Sequence, residues 1–296
     1  MLYSLLDRLT DHFRMESPTS HQGVSARVLP AAPALEWTLR VGAFLCFVGH
    51  GAFGIVTKAS WLPYFAVAGV GPDAAYALMP VIGALDIILG CLILLQPRPV
   101  IAGWMVAWAL WTALLRPLAG EPVWEAFERA GNYGVPAALL LLMSRGSGLR
   151  GLFAPARIGV PTPEILARAR RTLTVTTALL LLGHGALGIS GKAGLTSNYA
   201  SVFSADVATS LTVGIGWIEI AFALIVVRWQ QPTFLLVLAM WKLATESLFL
   251  TAGAPAWEVV ERGGSYVAPI ALAMVVVMTR FSERPKPSLA SSRDAA

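Results

Sequence analysis

Gly49 to Ala59 reads GHGAFGIVTKA and Gly183 to Ala193 reads GHGALGISGKA, a match at eight of eleven positions across an offset of 134 residues. A second pair, WEAFERAGNYGVPAAL from Trp124 and WEVVERGGSYVAPIAL from Trp257, agrees at nine of sixteen with an offset of 133. Two separated motifs that keep nearly one offset define a duplicated unit rather than chance composition. Whatever lies between them is then present twice, and its character decides the fold.

That intervening sequence is apolar. The 296 residues are 56% hydrophobic and only 13% charged, outside the usual soluble range. Apolar blocks run at 38–57, 75–95, 100–118, 130–144, 172–190, 209–228, 232–252 and 264–279, each near the ~20 residues that a bilayer-crossing helix requires. The block at 130–144 is short and carries Pro136, so it is expected to begin in the preceding loop or to be tilted and sheltered by its neighbours. The expected fold class is an all-α integral membrane protein of eight transmembrane helices, two parallel four-helix repeats with pseudo-two-fold symmetry. The expected divisions are an N-terminal segment and linker at 1–36, a first repeat at 37–145, an arginine-rich linker at 146–170, a second repeat at 171–280 and a flexible tail at 281–296. The charged start, with Asp7, Arg8, Asp11, His12 and Arg14, does not suit a cleavable signal peptide, so the first span is read as an uncleaved anchor.

The net charge of +5 raises the question of nucleic acid, and the placement of the basic residues argues against it. Assigning both termini and the even-numbered connections to the cytoplasm places 16 of the 22 basic residues on that side, as the positive-inside rule requires. The expected partner is the lipid bilayer. Cys46 and Cys91 both sit inside apolar stretches and form neither a disulfide framework nor a thiolate metal motif.

Four ionisable residues stand out within the spans of the two units. His50 and His184 are repeat equivalents, roughly 12 residues or ~18 Å into a span of ~30 Å. Asp86 and Glu219, in the second span of each unit, fall at similar depth. A carboxylate at mid-membrane costs roughly 2.5–3.5 kcal/mol on insertion scales, so these residues are expected to face the bundle interior. Each half thus pairs an imidazole with a carboxylate, either to handle protons or to join helices by a polar contact. His50 and His184 could also serve as opposite axial ligands of haem b. Lys242 and Glu246 occur only in the second half, at i, i+4 spacing, where the first half has Ala109 and Ala113. They make the second half the denser ionisable cluster and the expected active half.

The GxGxxG string in both copies lies inside a spanning helix, which excludes a dinucleotide loop and leaves close helix packing. Lys58 and Lys192 at the outer end of the motif either snorkel or hold an anion. Arg129 and Arg262 pair at i, i+4 with Glu125 and Glu258 in an outer cap, or bind an anion there.

The residues Arg40, His50, Gly51 and Lys58, followed by Arg129, Tyr133 and Pro136, resemble the DoxX-like family of four-helix bacterial and archaeal membrane proteins. The second copy repeats the pattern as His184, Gly185, Lys192, Arg262, Tyr266 and Pro269, while Arg171 stands three positions farther from its histidine than Arg40 does. The resemblance covers about 240 residues as two fused units. It implies a bacterial or archaeal cytoplasmic membrane and, through a related subunit of a thiosulfate:quinone oxidoreductase, a quinone-linked redox role with a redox partner subunit. A proton-coupled small-solute carrier or pore, and a non-catalytic assembly subunit, are the alternatives.

Overall fold

In lipid a peptide group has no water to bond, so an apolar segment satisfies its backbone internally by becoming a helix. The computed structural model describes residues 31–143, 148–156 and 159–282, and all regular structure among them is helical. The long helices are α1 (Ala31–Ile55), α3 (Pro72–Leu95), α4 (Pro99–Leu118), α8 (Pro163–Ile189), α10 (Ala205–Arg228), α11 (Pro232–Thr251) and α13 (Gly263–Ser282). Shorter ones are α2 (Leu62–Val67), α5 (Trp124–Glu128), α6 (Ala130–Leu142), α7 (Gly148–Phe153), α9 (Ala193–Ala200) and α12 (Ala256–Glu261). Seven helices, counting Ala256–Phe281 as one run, are long and apolar enough to cross a bilayer. This is a multi-pass membrane protein.

Several boundaries differ from the sequence reading. Helix α1 already includes residues 31–36, Pro33 among them, inside the stretch assigned to a linker. Helix α8 starts at Pro163 behind a Thr162 cap that accepts from the Ile165 N–H, so Arg168 and Arg170 lie on the helix rather than in a linker. Helix α6 has 13 residues, about 20 Å of rise, short of the ~30 Å hydrocarbon core. Its Gly131, Gly134, Val135, Pro136, Ala138 and Leu139 are buried against neighbours instead of lipid. The N-terminal amphipathic piece, most of the C-terminal tail and parts of the 146–170 linker lie outside the described residues.

Burial separates inner from outer helices. The spanning windows of α1, α8 and the α12–α13 run are 56%, 61% and 67% buried, whereas those of α3, α4, α10 and α11 are 28–33% buried. The outer helices present Val81, Ile88, Trp217, Leu224, Val237 and Met240 outward, each more than half exposed. In water such a belt would be an aggregation surface, and in a bilayer it is the lipid face. Inside, α1 packs on α13 and α8 on α6, so the first helix of each half rests against the last helix of the other.

The paired glycines set these distances. A Cβ on Gly51 would lie 2.6 Å from the Gly83 carbonyl oxygen, and one on Gly185 2.6 Å from that of Gly216. Each histidine helix therefore touches the carboxylate helix of its own half backbone to backbone. Gly49 and Gly183 serve a different neighbour: a Cβ there would meet the backbone of Glu261 and of Glu128, the cap of the opposite half. Gly51→Ala and Gly185→Ala should each lower stability by about 1–3 kcal/mol through overpacking, read by thermal unfolding in detergent. Gly103→Ala, where nothing lies within 4 Å of the new Cβ, should be close to neutral.

Candidate functional site

With Gly51 seated on Gly83, His50 of α1 reaches Asp86 of α3. The two meet at 2.9 Å between Nδ1 and Oδ2, with Asp86 1% exposed. The imidazole stacks on Trp61 at 4.5 Å between ring centroids. The other Asp86 oxygen, Oδ1, is buried and has no hydrogen-bond partner among the described residues, and the same holds for Nε1 of Trp108.

The second half builds the equivalent pair and then extends it. His184 Nδ1 lies 2.5 Å from Glu219 Oε2, and Glu219 Oε1 receives Lys242 Nζ at 3.2 Å and Trp241 Nε1 at 3.4 Å. Lys242, 0% exposed, also contacts Glu246 at 3.1 Å, and Glu246 contacts Arg262 Nε at 3.0 Å. Arg262 continues to Glu258 at 2.8 Å. Buried charges thus form one alternating chain from mid-helix to the cap, each stabilised by an opposite neighbour.

The caps are bound across the halves. Lys58 of the first half approaches Glu258 of the second at 3.5 Å, and Lys192 of the second reaches Glu125 and Glu128 of the first at 2.8 and 3.2 Å. Arg129 joins the same two glutamates at 2.9 and 3.2 Å. Lys58 also sits over the Phe53 ring, 3.6 Å from its centroid. Burial pushes the Glu128 carboxyl up, but Lys192 and Arg129 outweigh it and hold the group well below the ordinary carboxylate range. Burial holds the Lys58 ammonium below its ordinary value, with Glu261 and Glu258 opposing.

A cavity of about 250 Å³ lies against the first-half pair. Its walls are Trp61, Phe65, Leu78, Ile82, Trp108, Trp111 and Leu115, and its polar groups are His50, Tyr64, Thr112, Arg116, Arg129, Asn132 and Glu261. Leu78 of α3 and Trp111 of α4, both in its wall, are also 41% and 43% exposed. Arg116 is held by Glu121 at 3.3 Å and lies over the Tyr64 ring, whose hydroxyl donates to Glu121. Two smaller spaces accompany it: a void of about 10 Å³ beside Asp86, Trp108 and Ala109, and a polar crypt of about 20 Å³ between the caps, lined by Glu128, Arg129, Glu246 and Arg262 among others.

The structure therefore brings His50 to Asp86 and unites His184, Glu219, Lys242 and Glu246, but the cavity adjoins only the first group. His184 lines none of these three spaces. Nδ1 of each histidine is taken by the carboxylate of its own half, Asp86 for His50 and Glu219 for His184. Sequence reasoning also passed over Trp61, Tyr64, Phe65, Trp108 and Arg116. The signal available was the aromatic run Trp61, Tyr64 and Phe65 after the first span, whose counterparts are Leu195, Asn198 and Tyr199. No family model, curated protein or solved structure matches this chain.

Lys242→Met keeps the volume but leaves Glu219 and Glu246 without their shared cation, and should cost about 3–5 kcal/mol of stability. Lys192→Met, at a side chain 30% exposed, should cost about 1 kcal/mol or less. Equal losses in denaturant titrations would contradict a closed buried network. For Glu128 the folded carboxyl binds its proton less readily than the unfolded one, whose value is near ~4.3. Its stabilisation is complete above that value and is lost as pH falls through the lower folded value. Glu128→Gln should flatten the acid limb of a melting-temperature profile, and an unchanged limb would exclude this role.

Proposed function

We propose that the chain is a tandem DoxX-like protein of eight spans, both termini cytoplasmic, whose first half binds a lipid-soluble quinone or quinol and exchanges protons with it. The observation that carries this reading is the cavity of about 250 Å³ with aromatic walls, two of whose residues, Leu78 and Trp111, are also partly exposed on the outer helices, and with His50 of the His50–Asp86 pair in its lining. Apolar walls with a few convergent polar groups suit a ring ligand that arrives through the membrane. The eight-span reading counts α6 as a span shortened to about 20 Å and sheltered by α1, α8 and α13. The reciprocal cap contacts and the matched glycine contacts support the two-fold arrangement.

A bound quinol supplies two electrons and two protons. Trp61, Trp108 and Trp111 would hold the ring, and Arg116, Arg129 and Asn132 would orient its oxygens. His50, in the cavity wall, can take a proton from the bound quinol, with Asp86 stabilising the imidazolium that forms. Electrons would pass to or from a partner subunit. Lys242 and Glu246 act in this reading by closing the second half, which transfers the expected active half from the second to the first.

Protein purified in a mild detergent should yield a quinone on solvent extraction, identified by its ultraviolet oxidised-minus-reduced difference spectrum. Leu78→Trp, which narrows the cavity, should lose at least about tenfold of that content, or more than ~1.4 kcal/mol of binding, with an unchanged melting temperature. Quinone-free protein that also takes up none from supplemented lipid would overturn the reading.

A further inference from the structure

We infer that the second half contains its own occupant. Lys242 fills the space that in the first half receives a hydroxyl of the bound ligand, so the chain has one binding half and one internally plugged half. This inference rests on the quinol reading of the cavity and assigns the seat of the ligand's head.

At the 133-residue offset Asp86 matches Glu219, Trp108 matches Trp241, and Ala109 matches Lys242. In the second half the carboxylate and the indole converge on one place: Glu219 Oε1 accepts from Lys242 Nζ at 3.2 Å and from Trp241 Nε1 at 3.4 Å. In the first half Ala109 has no side chain to send there. A void of about 10 Å³ remains, flanked by His50, Asp86, Trp108 and Ala109 and adjoining the main cavity through shared walls. Asp86 Oδ1 and Trp108 Nε1, the atoms equivalent to those satisfied in the second half, are both buried without a partner among the described residues.

Leaving such atoms unmet is costly, so the void calls for a group that donates to a carboxylate and accepts from an indole. One hydroxyl does both through a single oxygen. A quinol head reaching in from the main cavity supplies it, whereas a quinone carbonyl can accept from Trp108 but has nothing to donate to Asp86. A lone water is the competing occupant, since about one probe sphere of space suffices to hold it.

The test uses the full chain in lipid nanodiscs and titrates decylubiquinol, kept reduced under argon, and decylubiquinone, read by quenching of tryptophan fluorescence and by calorimetry. The expected result is one quinol per chain, bound at least about tenfold more tightly than the quinone, in line with the worth of a hydrogen bond to a charged group. Trp108→Phe should weaken quinol binding at least about fivefold, and Ala109→Lys should abolish it while leaving the melting temperature unchanged or higher. Two quinols per chain would overturn the inference. Equal affinity for both redox forms, together with an unaffected Trp108→Phe protein, would place only water in the void and overturn it while leaving the cavity reading intact. Binding of neither probe would remove the cavity reading itself. If Ala109→Lys fails to fold, the redox preference and Trp108→Phe decide.

Discussion

Carboxylates buried inside helices that face lipid must find partners within the protein, and the arrangement of this bundle follows from that requirement. Asp86, Glu219 and Glu246 are each no more than 2% exposed. Bulk water is excluded from them, and lipid offers nothing to bond. Their partners come from neighbouring helices, so those helices must come close, and glycine makes the approach available. Gly51 against Gly83, and Gly185 against Gly216, bring each histidine helix into backbone contact with its carboxylate helix. Without that contact His50 could not stand 2.9 Å from Asp86.

The same requirement, met differently, separates the halves. In the second, Lys242 lies between Glu219 and Glu246, and Arg262 completes the chain of opposite charges. In the first, alanines at 109 and 113 leave Asp86 with a histidine on one oxygen and an open void beside the other. Beside that void lies the main cavity, lined by Trp61 just before α2 and Tyr64 within it, where the second half has Leu195 and Asn198. The two matched stretches of sequence thus differ in outcome: a buried salt-bridge network stands in one and a pocket in the other. The caps then hold the frames together, because each unit's lysine is bound by the other unit's glutamates.

Much of the fold is legible in the sequence because hydrophobicity and repeat offset are local properties. Seven expected spans appear as long helices, and both histidine–carboxylate pairs form as depth alone suggests. The extension of α8 to Pro163 escaped the hydropathy pattern, since polar residues outside the apolar core continue a helix where a cap and a first-turn proline permit. The site was harder to read. Charge density pointed to Lys242 and Glu246, yet density of opposite charges marks mutual satisfaction as readily as function. What distinguishes the first half is a missing side chain at Ala109 and a cavity assembled from α3, α4 and the segment around α2, which only three-dimensional packing reveals.

The most direct measurement is a cryo-electron microscopy map of the protein in nanodiscs of its native lipids, at a resolution that separates side chains from bound molecules. Non-protein density is expected in the first-half cavity, ending between Asp86 Oδ1 and Trp108 Nε1, with Lys242 enclosed between Glu219 and Glu246 and no ligand beside it. A first-half cavity collapsed or filled by protein side chains, or Lys242 turned out of its carboxylate pair with a ligand in its place, would contradict it.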